Sequence, residues 1–235
     1  MPNIILIETS TALCSTALVR DEAIACSRES GEARSQAALT APFIKEMLDS
    51  EGLTAADCDA VCVSAGPGSY TGLRVGVSTA KGLCFAAGIP LMSVNTLEVL
   101  AYQAFADNLV PDGCRYIIPM IDARRMEVYT TVFEIDGDGK SFRRAGDITP
   151  MIIDAGSFSK EREEGPVLFI GDGAGKCSEL LAGPCASFVQ TCARASSMLV
   201  PALEAFNEKR FESTAYFEPF YLKQFTATVS RKKLF

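Results

Sequence analysis

Three stretches of this sequence carry residue types that could do chemistry. Glu8-Thr9-Ser10 ends an apolar run that begins at Asn3, and it supplies one carboxylate and two hydroxyls. The end of a strand in an α/β sheet is a common place for ligand groups, so these side chains could hold a metal-bound water or a phosphate, or could cap a turn. Gly66-Pro67-Gly68-Ser69 follows a second apolar run, Ala60 to Ser64. The turn residues lead straight into a helix N-cap at Ser69, which makes Gly68 and Ser69 candidate phosphate contacts. Gly171-Asp172-Gly173-Ala174-Gly175-Lys176 looks like a phosphate loop, but Ile170 stands where a Walker loop needs its first glycine and Cys177 where a hydroxyl would hold magnesium. A glycine-rich turn is the better reading, with Gly171 and Gly173 kept as backbone contacts to a nucleotide. Asp136-Gly137-Asp138-Gly139 lacks the downstream glutamate of a calcium loop and reads as a hairpin turn. The charges of Asp122-Ala123-Arg124-Arg125-Met126-Glu127 read as an exposed turn, or as an ion pair at an interface or cleft.

Composition excludes more than it suggests. Histidine is absent from all 235 residues, which removes Ser-His-Asp and Cys-His catalysis, histidine bases and every histidine metal site. The nine cysteines are odd in number, scatter through apolar runs and form no CxxC pair; small buried thiols in a reducing cytoplasm fit better than a disulfide framework. The net charge of -7 argues against a basic nucleic-acid platform, and the Arg231-Lys232-Lys233 cluster reads as a solvated end. With 48% hydrophobic and 22% charged residues the chain has a globular composition, and no run approaches the ~20 apolar residues of a membrane span.

Around these groups the pattern predicts an α/β protein. Asn3 to Thr9, Ser15 to Val19 and Ala23 to Ser27 read as three antiparallel strands. Arg34 to Ser50 reads as a helix with Leu39, Phe43 and Met47 beside Ile44 and Leu48 on one stripe, kinked or restarted at Pro42. After the strand at Ala60 to Ser64 a helix runs from about Tyr70 to Cys84, and Asn95 caps another. Along the first of these, small residues recur every fourth position at Gly68, Gly72, Gly76, Ala80 and Cys84, forming one ridge. Glycines cost a helix roughly 1 kcal/mol each relative to alanine, so the ridge is expected to meet a close-packed surface, either a partner or the lobe's own sheet. The opening pattern then partly recurs: a strand at Tyr116 to Ile121, another at Glu127 to Glu134, a third near Asp147 to Ile153. A helix follows at about Ser157 to Glu163, then a strand at Val167 to Ile170, a helix near Ala195 to Glu208 with Pro201 as a kink, and an extended tail at Phe217 to Leu222. Two similar halves give the expected class: a two-lobed actin-like, ribonuclease H-like (ASKHA) fold with a reduced second lobe. The first lobe is expected over 1–108 and the second over 109–235, its last helix and tail free to pack back on the first.

Ile7-Glu8-Thr9-Ser10, Ser15 to Leu18, Ala65 to Gly76, Val94-Asn95-Thr96-Leu97-Glu98 and Asp122-Ala123-Arg124 together resemble the TsaB (YeaZ) family. The resemblance implies a non-catalytic dimerisation subunit in the synthesis of threonylcarbamoyladenosine beside the anticodon of tRNA. It also implies a catalytic paralogue TsaD and an ATPase TsaE as partners, a homodimer when TsaD is absent, tRNA reached through the complex, a cytoplasmic location, and no membrane. No cofactor is certain, and ATP or ADP at the complex interface is left open. TsaD carries two histidines four apart after a Val-Asn pair; here Val94 and Asn95 are followed by Thr96 and Leu100 at those positions, which implies no such metal centre and no catalytic residue. The family pairs through first-lobe helices, so Tyr70, Gly72, Leu73, Gly76, Val77 and Ala80, with Leu39, Phe43 and Met47, are the expected interface. An actin/kinase-class nucleotide-binding enzyme and an M22-type glycoprotease-like peptidase are the alternatives.

Overall fold

Two sheets of the same strand plan face each other across a cleft. The structure is a computed structural model that describes residues 1–137 and 139–223; the Arg231-Lys232-Lys233 cluster and Asp138 lie outside the described residues. The first sheet is ordered β3-β2-β1-β4-β5, from β1 (Ile4–Glu8), β2 (Cys14–Arg20), β3 (Ala23–Ser30), β4 (Ala60–Gly66) and β5 (Leu91–Asn95). β1 runs antiparallel to β2 and parallel to β4. It is apolar on both faces except at Glu8 because both faces are covered, whereas β3, at the edge, alternates between half-buried and exposed residues. The second sheet repeats the plan as β10-β7-β6-β11-β12: β6 (Tyr116–Asp122), β7 (Glu127–Thr130), β10 (Thr149–Ile152), β11 (Val167–Ile170) and β12 (Ala186–Val189). A short hairpin, β8 (Phe133–Ile135) with β9 (Phe142–Arg144), pairs on β6. This two-sheet α/β arrangement is the actin-like, ASKHA-type fold.

Helices α1 (Gln36–Glu51) and α2 (Tyr70–Ala87) lie side by side on one face of the first sheet, sharing a core of Ile5, Ile7, Ile44, Met47, Val63, Val77 and Ala80. On its other face, α3 (Thr96–Ala106) and α6 (Leu199–Asn207) join a core that spans both sheets, from Ile4 and Leu6 through Leu97 and Leu100 to Ile117 and Ile170. The chain therefore returns to the first lobe at its end: Met198, Ala202 and Ala205 sit in that shared core, and the Ala195 N–H donates to Ser15 Oγ at 2.9 Å. The second lobe keeps only short helices, α4 (Ser159–Glu164) and α5 (Ala174–Leu181).

Four local expectations are corrected. α1 continues through Pro42, so the helix does not restart there. Ala38 and Pro42 are both exposed, so the carbonyl that loses its helical donor stays within reach of water. The strand expected over Glu127 to Glu134 breaks at Thr131 and Val132, which face Ile118 and Pro119 of β6; Pro119 has no N–H to continue the ladder, and the Thr130 hydroxyl donates to its carbonyl instead, at 2.8 Å. Pro201 does not kink a helix, because a 3-10 turn at Ala195–Met198 precedes α6 and puts Pro201 in the first turn, where its missing N–H is not needed. α5 and β12, absent from the sequence reading, complete the second βαβ unit.

Candidate functional site: the interlobe cleft and the first-lobe helices

Glu8 ends β1 completely buried. Its Oε1 accepts the Ser10 N–H at 2.6 Å, while its Oε2 and the hydroxyls of Ser10 and Thr11 have no partner among the described residues. Burial pushes the Glu8 carboxyl above its ordinary value of 4.5, against the hydrogen bond from the Ser10 N–H, and the Asp172 carboxylate adds the smallest of the contributions. Ser64, at the end of β4, shares a hydrogen bond of 2.6 Å with Thr96. Asp172 sits in the turn after β11, where its Oδ1 accepts the Asp122 N–H at 2.9 Å. Burial raises its carboxyl too, reinforced by Asp122 and offset by that N–H and by Lys176. Lys176 is held by Asp122 and by the Glu127 carbonyl at 2.7 Å.

The cleft therefore offers an anion very little. The Ser69 N–H donates to the Ser10 carbonyl at 2.6 Å, Gly171 N–H to Val189 at 3.0 Å and Gly173 N–H to Met120 at 2.9 Å. Three of the amides expected to cradle phosphate, those of Ser69, Gly171 and Gly173, are thus engaged in the fold. Gly171 has φ +133, and a Cβ there would stand 2.2 Å from the Met120 carbonyl oxygen and 3.2 Å from Leu100 Cδ1, so Leu100 packs close to this turn. Among the described residues no group of three or more histidines, cysteines or carboxylates could hold a metal ion.

The small-residue ridge faces inward. Thr9, which follows β1, donates its hydroxyl to the Gly72 carbonyl at 2.8 Å. A Cβ at Gly72 would stand 2.0 Å from the Thr9 carbonyl oxygen, and one at Gly76 would stand 2.3 Å from Thr9 Oγ1. Gly72, Leu73, Gly76, Val77, Ala80 and Met47 are buried in the lobe, which corrects the reading of these residues as partner-facing: the glycines let β1 approach α2. Tyr70, Leu39 and Phe43 are half-buried. The outer side of the helix pair carries Ala41, Lys45, Asp49, Arg74 and Ser78, with Phe85 at 87% exposure. A groove of about 290 Å³ between α1 and residues 53–55, closed by Leu83 of α2, is lined by Ala41, Ile44, Leu48, Leu53 and Leu83 among others.

A sequence model described as "TsaD: tRNA N6-adenosine threonylcarbamoyltransferase" matches residues 32–224. The tRNA threonylcarbamoyladenosine biosynthesis protein TsaB of Bacillus subtilis is 32% identical over 72% of this chain and 70% of its own length. The chain belongs to the TsaB/YeaZ family. TsaB of Escherichia coli is 34% identical over 58% of this chain; the match spans just over half of that relative, 57%. YeaZ from Pseudomonas aeruginosa superposes with a TM-score of 0.82 at 25% identity, covering 94% of this chain and 100% of that one. A second structure, of a protein with similarity to peptidase YeaZ from the same organism, gives 0.79 at 26% identity over 95% of this chain and 100% of that one.

In this TsaB-family chain the structure brings Glu8 and Ser10 together with Asp172, Ser64 and Thr96, which sequence reasoning did not assign to the site. Ser64 and Asp172 each follow an apolar strand, the same signal that singled out Glu8. Gln103 was also missed. It is a buried amide on an otherwise apolar helix, donating to Thr191 Oγ1 at 3.0 Å and the Cys192 carbonyl at 3.1 Å and accepting the Arg194 N–H at 3.1 Å. A lone glutamine inside Leu97 to Phe105 was the available clue.

Proposed function

We propose that this chain is a non-catalytic dimerisation and scaffold subunit in the synthesis of threonylcarbamoyladenosine on tRNA, activating a TsaD-type catalytic partner. The observation that carries the reading is the cleft: Glu8 is completely buried, Leu100 packs close to Gly171, and the amides of Ser69, Gly171 and Gly173 are spent on the fold. A kinase-class enzyme needs phosphate in that cleft, and a peptidase needs a nucleophile with its base. Neither is favoured by a specific arrangement of residues.

A scaffold acts through surface. The outer sides of α1 and α2, with Phe85 and the groove beside Leu48 and Leu83, are our pairing face for TsaD and for a second copy when TsaD is absent. An exposed phenylalanine and an apolar groove are each suited to burial against another protein. TsaE joins through the complex, tRNA is reached through TsaD, and the cytoplasm is the expected location. Reconstitution tests this: TsaD and TsaE with threonylcarbamoyl donor and tRNA should form the modified adenosine only when this chain is present, and the chain alone should form none. Modification at an undiminished rate without it would refute the scaffold role.

A further inference from the structure

We propose that residues 211–223 are a latch that holds the two lobes closed over Glu8, and that releasing it lets the cleft open. After α6 the chain crosses the first lobe through a series of anchors. The Glu212 N–H donates to the Leu91 carbonyl at 2.8 Å, and Ser93 Oγ to the Glu212 carboxylate at 2.7 Å. Lys81 of α2 holds the carbonyls of Ala215 and Phe217 at 3.0 and 3.2 Å. The Phe220 N–H donates to the Ala65 carbonyl at 2.7 Å, over the glycine turn that precedes α2, and the Tyr221 ring lies on Tyr70 with centroids 4.6 Å apart. Lys223 then leaves the first lobe and pairs with Glu127 of β7. Glu127 is also the residue whose carbonyl holds Lys176, the partner of Asp122 beside Asp172.

The lobes are thus joined in two different ways. Along α3 the joint is buried and largely apolar: Leu100 packs at Gly171, Gln103 is tied to 191–194, and Phe142 of the second lobe lies against Tyr102 and Phe105 with centroids 4.8 and 5.6 Å apart. At the strap, among the described residues, one ion pair carries the chain onto the second lobe, and its lysine is 42% exposed. A buried joint beside a solvated one is the arrangement of a hinge and a catch, because an exposed ion pair opens at low cost.

Hydrogen exchange on the full chain tests this without any partner present, so it stands apart from the scaffold reading. Lys223→Ala and Glu127→Gln should each raise exchange in peptides covering 8–12 and 171–176 by about two- to fivefold, and the double variant should be no faster than either. Tyr221→Ala, which frees the strap from α2, should raise it about tenfold. Peptides from α3 and from 191–199 should keep their wild-type rates. Acceleration confined to 211–223, or spread evenly over the chain, would overturn the latch, as would additive effects of the two ion-pair variants.

Discussion

Thr9 and Gly72 are tied by a hydrogen bond of 2.8 Å from the threonine hydroxyl to the glycine carbonyl, with the Thr9 carbonyl oxygen 2.0 Å from where a Gly72 Cβ would stand. Gly72→Ala must push α2 off the end of β1. The expected loss is about 3 kcal/mol of unfolding free energy in urea, at the upper end of overpacking costs. Gly82→Ala, on the same helix with nothing within 4 Å, should gain about 0.5–1 kcal/mol. Equal effects at the two positions would contradict the inward orientation of the ridge.

Glu8→Gln removes a buried titratable group while keeping an oxygen for the Ser10 N–H. The Glu8 carboxyl is raised above 4.5 by burial, then by Asp172, so the folded chain holds its proton more tightly than the unfolded one. That contribution is complete below the unfolded value and is lost as pH rises through the folded one. Denaturation followed from pH 5 to pH 9 should show wild type losing stability relative to the glutamine variant as pH rises. The two curves running parallel would show that Glu8 does not titrate across this window.

Gln103→Leu leaves the Arg194 N–H and the Cys192 carbonyl without their side-chain partner. Unsatisfied buried groups cost roughly 1–3 kcal/mol each, and a loss of about 2–4 kcal/mol is expected, with exchange rising first in 191–195. A cost under 0.5 kcal/mol would remove Gln103 from the interlobe joint.

Phe85→Asp should weaken association with TsaD, or with a second copy, by at least about tenfold in sedimentation or co-elution. The fold itself should hold to within about 0.5 kcal/mol, as for other surface changes. Undiminished pairing would move the interface off the outer side of α2.

The elements whose own sequence decides them were legible. β1 is apolar throughout up to Glu8, Ser69 caps α2 through the Gly72 N–H at 3.3 Å, and Asn95 caps α3 through the Leu97 N–H at 2.9 Å. The small ridge was legible as a close contact, but spacing along one helix cannot say whether the approaching backbone is Thr9 or a partner. Pro119 shows the converse limit: its effect falls on Thr131, a dozen residues away, through a ladder visible only once the strands are paired. The cleft was half-legible for a similar reason. Glu8 announced itself at a strand end, but its electrostatics come from complete burial, which the packing of both lobes produces. The fate of the loop amides at Ser69 and Gly173 depends on carbonyls at Ser10 and Met120, and sequence does not pair them.

The return of the C-terminal segment bears on the order of synthesis. Ala195 reaches Ser15 across 180 residues, and Met198, Ala202 and Ala205 complete a core begun by Ile4 and Leu6. A chain growing on the ribosome can pair β1 with β2 early and lay α3 on that face, but cannot finish covering it until residues 195–205 have emerged. The nascent first lobe therefore spends most of translation with an apolar surface open to chaperones. A message truncated before residue 195 would yield a half-covered sheet rather than a smaller version of the protein.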